Sequence, residues 1–478
     1  MKQLERPWKV LAVTAAAIFM AFIDVTIVNV AFPSIERAFP GTSVAGLSWV
    51  LNAYNIVFAA LLVPAGRLAD LFGRRRVFFT GLWIFLAASA LCGIAPSAEM
   101  LIAARAIQAA GAALMVPTSL ALLLPEFPPE RRATATALWG AVGGVAAATG
   151  PSLGGVLIEW TDWRLVFFIN LVIGAAALVP ARRLLVETRD PDRGAVPDPF
   201  GIVLLAASIG ALSLAIVEAP DWGWGSARIL TAFAAAAVLA AGFISRSVTH
   251  HHPVLELHLF KVRSFAVACF GVGVFSLGFY ALLLSNILFL TGVWHYSILK
   301  AGFAVTPGPL MAALSSANAG RIADRYGSGA VAFPGGLLFA AGALVFALGL
   351  GTEPHYVTHY LPGTILTGLG VGASFAGFSS AAVAELPPAR FATGSAISAT
   401  CRQIGAVLGI AALIAVLGER AGLDDFQRAW WMMTGTGAVA AIAGFSLGRV
   451  RATVAPWTSK SAPSTTPSPE RAPSAARS

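Results

Sequence analysis

The chain is 478 residues long, 57% hydrophobic and only 12% charged, with a formal net charge of +9 and a mean hydropathy of +0.77. An average soluble domain carries about 25% charged residues, so a soluble globular fold is excluded and the composition is that of an integral membrane protein. The long Ala/Leu/Val/Gly runs do not alternate with period two, which excludes a spanning β-barrel.

Apolar runs long enough to cross a hydrocarbon core of roughly 30 Å as helices fall near 10–32, 46–65, 77–95, 99–124, 133–158, 165–182, 199–218, 227–245, 264–290, 299–318, 329–350, 359–383, 391–418 and 429–449. The expected fold is therefore all-α, with fourteen transmembrane helices. An even number puts both termini on one side. With the N-terminus in the cytoplasm, 24 Lys/Arg lie in cytoplasmic segments and 6 in outer loops, the remaining two sitting inside spans. That bias places both termini in the cytoplasm of a cell-membrane protein. It also accounts for the net charge: the basic residues are spread along short loops facing anionic lipid, without the aromatic interleaving of a nucleic-acid surface.

The first run follows Lys2, Arg6 and Lys9 but continues through Asp24 to Pro33 with no small-residue cleavage site, so it reads as a span and not a signal peptide. Asp24 is the carboxylate placed well inside a span. An ionisable group there is costly unless paired or hydrated and marks function by default; burial disfavours its charged form, so it is suited to bind and release a proton. A structural aspartate bonded to Thr26 is the alternative. Asn29 shares this helix, and the second carries Asn52, Tyr54 and Asn55.

The next loop, "AGRLADLFGRRR", holds Gly66, Arg67, Asp70, Gly73, Arg74, Arg75 and Arg76, and a near copy, "AGRIADRYG", holds Gly320, Arg321, Asp324 and Gly327 between the tenth and eleventh spans. Internal repetition marks transporters built from related helix bundles. The glycines suit tight turns, Asp70 can cap the third helix, and the arginines can pair with a neighbour in one conformation only, as a latch. Positive-inside anchoring alone explains the arginines but not an aspartate held in the same frame twice.

In the fourth span Arg105, which cannot practically lose its proton, must find a carboxylate, carbonyls or water; Gln108 is one turn on. In the fifth, Gly140, Gly144 and Ala148, then Gly150 and Gly154, recur every four residues and permit close helix approach, while Pro151 adds a local bend. The ninth contains Tyr280, Ser285 and Asn286 beside Phe275 and Phe279, and the thirteenth contains Arg402 and Gln403. Asn29, Asn52, Tyr54, Gln108, Tyr280, Asn286, Arg402 and Gln403 are the candidates for a mostly apolar substrate cavity with few polar groups, which suits lipophilic ligands. Cys92, Cys269 and Cys401 fall in three different spans and read as small buried hydrophobes. The triplet His250, His251, His252 has no ligand spacing around it and reads as a solvated loop. From about Thr453 the chain turns Pro/Ser/Ala/Thr-rich and reads as a disordered tail.

The pattern "GRLADLFGRRR" resembles the loop signature of the major facilitator superfamily, and the fourteen-span count resembles its drug:proton antiporter branch of the EmrB/QacA type. "IDVTIVNVAFPSI" and "SWVLNAY" are similar to the first- and second-helix signatures of that branch. "RAIQAAGAALMVP" resembles its fourth-helix motif, with Ala109 where Gly is usual. "TGPSLGGVL" resembles the fifth-helix antiporter motif, "WRLVFFINLVIG" the start of the sixth with Val172 where proline is common, and "CRQIGAVLG" the thirteenth. The resemblance implies two six-helix bundles, 1–182 and 263–449, around a 183–262 segment of linker plus two extra helices, with a 450–478 tail. It implies proton coupling through Asp24 and Arg105 and a leak-limiting bend at Gly150, Pro151 and Gly154. It implies a monomer embedded in membrane lipid that exports lipophilic drugs or antibiotics by alternating access, with the proton as coupling ion and no other cofactor. The tenth and thirteenth helices lack the acid that some relatives use for dications. Uptake of a small metabolite, or a sensor without transport, remain alternatives. No P-loop, nucleophile-base pair or metal constellation points to ATP use or an enzyme.

Overall fold

The computed structural model describes residues 6–128, 131–189, 197–251, 253–387, 390–419 and 421–450. Among them run fifteen α-helices: α1 (Arg6–Ala38), α2 (Val44–Phe72), α3 (Arg74–Gly93), α4 (Ala98–Leu123), α5 (Arg132–Trp160), α6 (Leu165–Leu184), α7 (Pro199–Trp222), α8 (Ala227–Thr249), α9 (Arg263–Gly292), α10 (Ile298–Val305), α11 (Pro307–Tyr326), α12 (Gly329–Gly349), α13 (Leu361–Ala384), α14 (Phe391–Leu417) and α15 (Leu423–Leu447). The expected tenth span is α10 and α11 together, interrupted where Pro307 and Pro309 remove backbone donors. Thirteen stretches are long and apolar enough to cross a membrane. The stretch missing from that set is α15, whose Trp430, Trp431 and the Thr434–Gly437 run dilute its hydropathy. The tail and residues 190–196 of the linker lie outside the described residues, as does His252.

Helices α1 to α6 pack on one another, chiefly α3 on α4, α1 on α5 and α2 on α4; α9 to α15 do likewise, chiefly α12 on α13 and α15, α11 on α13 and α14 on α9. The two sets meet along α2 with α14 and along α5 with α10 and α11, with a lighter contact of α1 with α9. The α7/α8 hairpin lies outside: α7 rests against both α2 and α14, and α8 packs on α7.

The duplicated motif is mostly helical, which corrects its expected place in a loop. Gly66, Arg67 and Asp70 ride the last two turns of α2, and Gly320 and Arg321 the corresponding turns of α11. The side chain of Asp324 lies outside the described residues. Only Gly73 (φ 105°) and Gly327 (φ 96°) make the turns, in backbone conformations that L side chains rarely adopt. Each turn docks on the chain just past the last helix of its set. The Arg74 N–H donates to the Thr188 carbonyl (3.1 Å) beyond α6, and the Ser328 N–H to the Val450 carbonyl (2.9 Å) beyond α15. A Cβ on Gly73 would stand 2.6 Å from the Glu187 carboxylate, and one on Gly327 2.8 Å from Arg449 Cα.

That docking also corrects the expected helix cap. The backbone N–H groups of Arg75 and Arg76 at the start of α3 donate to Glu187 at 3.0 and 3.2 Å, placing a carboxylate at the positive helix end. Asp70 instead accepts from Arg74 Nε and Nη2 at 3.0 and 2.9 Å. The Arg75 guanidinium donates to the Arg182 carbonyl (3.1 Å).

Candidate functional site

Asp24 of α1 and Arg105 of α4 meet in the interior of the first helix set, both essentially inaccessible. Neither can be left alone at that depth, because a buried unpaired charge costs far more than a paired one. The Arg105 guanidinium donates to Asp24 Oδ2, to the Val50 carbonyl of α2 (3.1 Å) and to Gln108 Oε1 (2.6 Å). Its Cζ lies 4.2 Å from the centre of the Tyr54 ring, over the face, where a cation is attracted by the ring quadrupole.

The other carboxylate oxygen, Asp24 Oδ1, accepts from Gln108 Nε2 (2.8 Å) and Asn170 Nδ2 (3.0 Å). Ser89 Oγ of α3 accepts from Gln108 (2.8 Å) and Asn170 (3.4 Å). Five helices thus contribute to one network, and every bond to Asp24 is accepted by it.

The sequence singled out Asp24 and Arg105 separately and left the partner of Arg105 open among a carboxylate, carbonyls or water; the structure gives it both Asp24 and the Val50 carbonyl, with two companions left unnamed, Ser89 and Asn170. Ser89 gave no signal beyond a small polar residue in an apolar run, which is common in spans, and Asn170 lay unremarked within the sixth-helix motif. Thr26, the alternative partner for Asp24, donates instead to the Phe22 and Ile23 carbonyls, 3.1 Å each.

The eight residues grouped as a substrate cavity divide in the structure. Tyr54 and Gln108 belong to the ion-pair network. Asn29, Asn52, Asn286 and Gln403 are buried on α1, α2, α9 and α14, helices that meet across the seam between the two sets. Asn29 Oδ1, both polar atoms of Asn52, Asn286 Oδ1, Gln403 Oε1 and Arg402 Nε have no hydrogen-bond partner among the described residues. Buried polar groups rarely stay that way without water or a ligand. The Arg402 guanidinium stands 5.8 Å from the Phe375 ring centre, and Tyr280 meets Phe279 edge-on at 5.2 Å. Two surface cavities, of about 920 and 640 Å³, lie at opposite ends of the molecule and are lined by none of these eight residues. His250 and His251 line the smaller one, beside Arg67.

The Gly150, Pro151 and Gly154 segment of α5 is wedged between α1 and α10. A Cβ on Gly150 would collide with Thr26 Oγ1, one on Gly154 would stand 2.7 Å from Ile27 Cγ1, and the Pro151 carbonyl abuts Gly302 of α10. Its missing side chains let α5 touch α1, which carries Asp24, and the other helix set at the same level.

The model of the Major Facilitator Superfamily matches residues 14–409 and, in a second match, 268–476. The chain belongs to that superfamily. It is 33% identical over 430 residues to the multidrug resistance protein Stp of Mycobacterium tuberculosis (strain CDC 1551 / Oshkosh), covering 87% of this chain and 79% of that one. It is 31% identical to the tetracenomycin C resistance and export protein of Streptomyces glaucescens, covering 89% and 78%, and 31% identical to the methylenomycin A resistance protein of Streptomyces coelicolor (strain ATCC BAA-471 / A3(2) / M145), covering 86% of each. Among solved structures, a bacterial homolog of the human lysosomal transporter Spinster, inward-facing and unoccupied, superposes with a TM-score of 0.65 at 18% identity over 94% of this chain and 98% of that one. This superfamily member is therefore a multi-pass membrane protein of a transporter family and not an enzyme, and its relatives are drug and antibiotic resistance or export proteins.

Proposed function

We propose that this protein is a drug:proton antiporter of the fourteen-span, EmrB/QacA-like branch, exporting lipophilic drugs or antibiotics across the cell membrane. The observation that carries the reading is the buried Asp24–Arg105 pair, a switchable charge deep in a chain whose relatives are resistance and export proteins. In this reading α15 is the fourteenth span, both termini are cytoplasmic, and 1–182 and 263–449 are six-helix bundles that rock about a midplane site as a monomer, with 183–262 between them. A proton entering from outside neutralises Asp24, loosens Arg105 and displaces the drug; its loss to the cytoplasm restores the pair as a new drug molecule binds. Asn29, Asn52, Asn286, Arg402 and Gln403 offer the unpaired polar atoms that a mostly apolar ligand would engage. The Asp70–Arg74 pair and the Gly73 and Gly327 turns brace the cytoplasmic side. The proton is the coupling ion, and no other cofactor is needed.

The test is proton release from purified protein in detergent on adding lipophilic cations, neutral antibiotics and small metabolites in turn, with Asp24→Asn beside the wild type. Release by a drug-like compound from the wild type only is the expected result. Release by a small metabolite instead would move uptake ahead of export, and equal release from both proteins would remove Asp24 from the coupling role.

A further inference from the structure

We propose that the α7/α8 hairpin and the connector that follows it form a strap across the seam between the two helix sets, with Glu256 as the positioning residue that holds the cytoplasmic ends of α2 and α14 together. The inference rests on the antiporter reading for its sidedness and for the seam being one that opens. Its observation is a single buried carboxylate shared by arginines from opposite sets. Glu256 Oε1 accepts from Arg67 Nη2 of α2 at 3.0 Å, and both Glu256 oxygens accept from Arg390 Nη1, at the start of α14, at 2.6 and 2.7 Å.

Glu256 is fixed from behind. Val254, Leu255 and Leu259 of the connector are buried, and Val254 lies against the start of α7, where a Cβ on Gly201 would stand 3.1 Å from it. Asp198 accepts from Arg246 at 2.6 and 2.8 Å, tying the start of α7 to the end of α8. Asp198 also caps α7 through the Phe200 N–H (3.2 Å). With α7 lying against both α2 and α14, the carboxylate is delivered to the seam by an element belonging to neither set. Without Glu256, Arg67 and Arg390 would face each other as like charges and drive the ends apart.

A carboxylate that two cations share is a switchable bridge: when the ends separate, Glu256 can keep only one of them. Arg67 and Arg390 are partly exposed and line the smaller surface cavity with Glu256, so the released partner goes to water at small cost, while His258 of the same connector stays 3.7 Å from Glu256 Oε2. The strap therefore biases the equilibrium toward the cytoplasm-closed form without blocking the open one. This gives the inserted hairpin a function in the transport cycle.

The experiment measures the distance between spin labels at Phe72→Cys and Tyr326→Cys, exposed positions before the two glycine turns, in full-length protein in nanodiscs with Cys92, Cys269 and Cys401 replaced by Ala. Glu256→Gln and Arg390→Gln are expected to shift the near-to-far population ratio by about tenfold, a typical size for conformational coupling, and Arg390→Lys to return most of it. Identical distance distributions in wild type and Glu256→Gln, both monodisperse, would overturn the strap. If Glu256→Gln does not fold, an unchanged distribution in Arg390→Gln overturns it equally. No drug is needed, so an absence of drug-linked proton release with the distance shift intact would sink the export reading and leave the strap standing.

Discussion

At the scale of single residues, the two fully buried charges inside the first helix set, Asp24 and Arg105, are paired with each other. Arg105→Gln leaves Asp24 a buried carboxylate without its cation, and breaking such a pair costs about 3–5 kcal/mol. Thermal unfolding in detergent is expected to show that loss, and the Asp24→Asn, Arg105→Gln double variant to recover most of it while remaining unable to release protons on drug addition. A double variant as unstable as the single one would show that the two charges are not energetically paired. Asp198 is a second case, outside the spans. The hydrogen bonds from Arg246 hold its carboxyl below the ordinary value of 3.8, against the opposing effect of burial. Because the folded value is depressed, its contribution to stability is complete above pH 4 or so and is lost as pH falls through the lower folded value. A wild type whose unfolding temperature drops below about pH 4, and an Asp198→Asn variant that has lost that component of the drop, are the expected results. The sequence disclosed Asp24 and Arg105 because an ionisable residue in an apolar run is rare and conspicuous. It did not disclose Ser89 or Asn170, because a lone hydroxyl or amide in a span is ordinary until its partners are seen.

At the scale of elements, two helix ends and one helix face depend on glycines that admit no side chain. Gly73→Ala forces a side chain onto a backbone at φ 105° and against the Glu187 carboxylate, 2.6 Å away. Strain of this kind costs of order 1–3 kcal/mol, and Glu187→Ala, which removes a cap, should cost roughly 1 kcal/mol. Chemical denaturation of the two variants side by side checks the order. Gly154→Val should push α5 from α1 through Ile27 and lower stability by about 1–3 kcal/mol. Gly140→Ala, at a position where a new Cβ meets nothing within 4 Å, should be silent in the same measurement. The repeated motif was legible as a repeat, but its helical character was not. The string "AGRLADLF" is polar enough to suggest a loop, and the helix continues through it because Arg67 and Asp70 find ionic partners on neighbouring elements.

At the scale of the whole molecule, sidedness is the property that the charge bias predicts and a labelling experiment tests. Cysteines placed at Phe72 and Trp160, both exposed and at opposite ends of the spans, should react differently with a membrane-impermeant maleimide in intact cells: Trp160→Cys from outside, Phe72→Cys only after permeabilisation. The reverse pattern would overturn the cytoplasmic placement of the termini and, with it, the direction assigned to the latch and the strap.

Hydropathy and composition by themselves determined that this chain is a bundle of membrane-crossing helices, where most of those helices lie, and that one acid and two arginines fall within the apolar runs. These are local quantities: a run of apolar residues pays its transfer energy one residue at a time, and a charge within it is costly wherever the run ends up. The tertiary structure alone decided which groups meet. It put Glu187 and not Asp70 on the end of α3, drew Gln108 and Tyr54 into the ion-pair network, and brought Glu256 between Arg67 and Arg390. A carboxylate in a short polar connector looks like any solvated charge, and only the packing of α7 against α2 and α14 brings it to two arginines far apart in the chain.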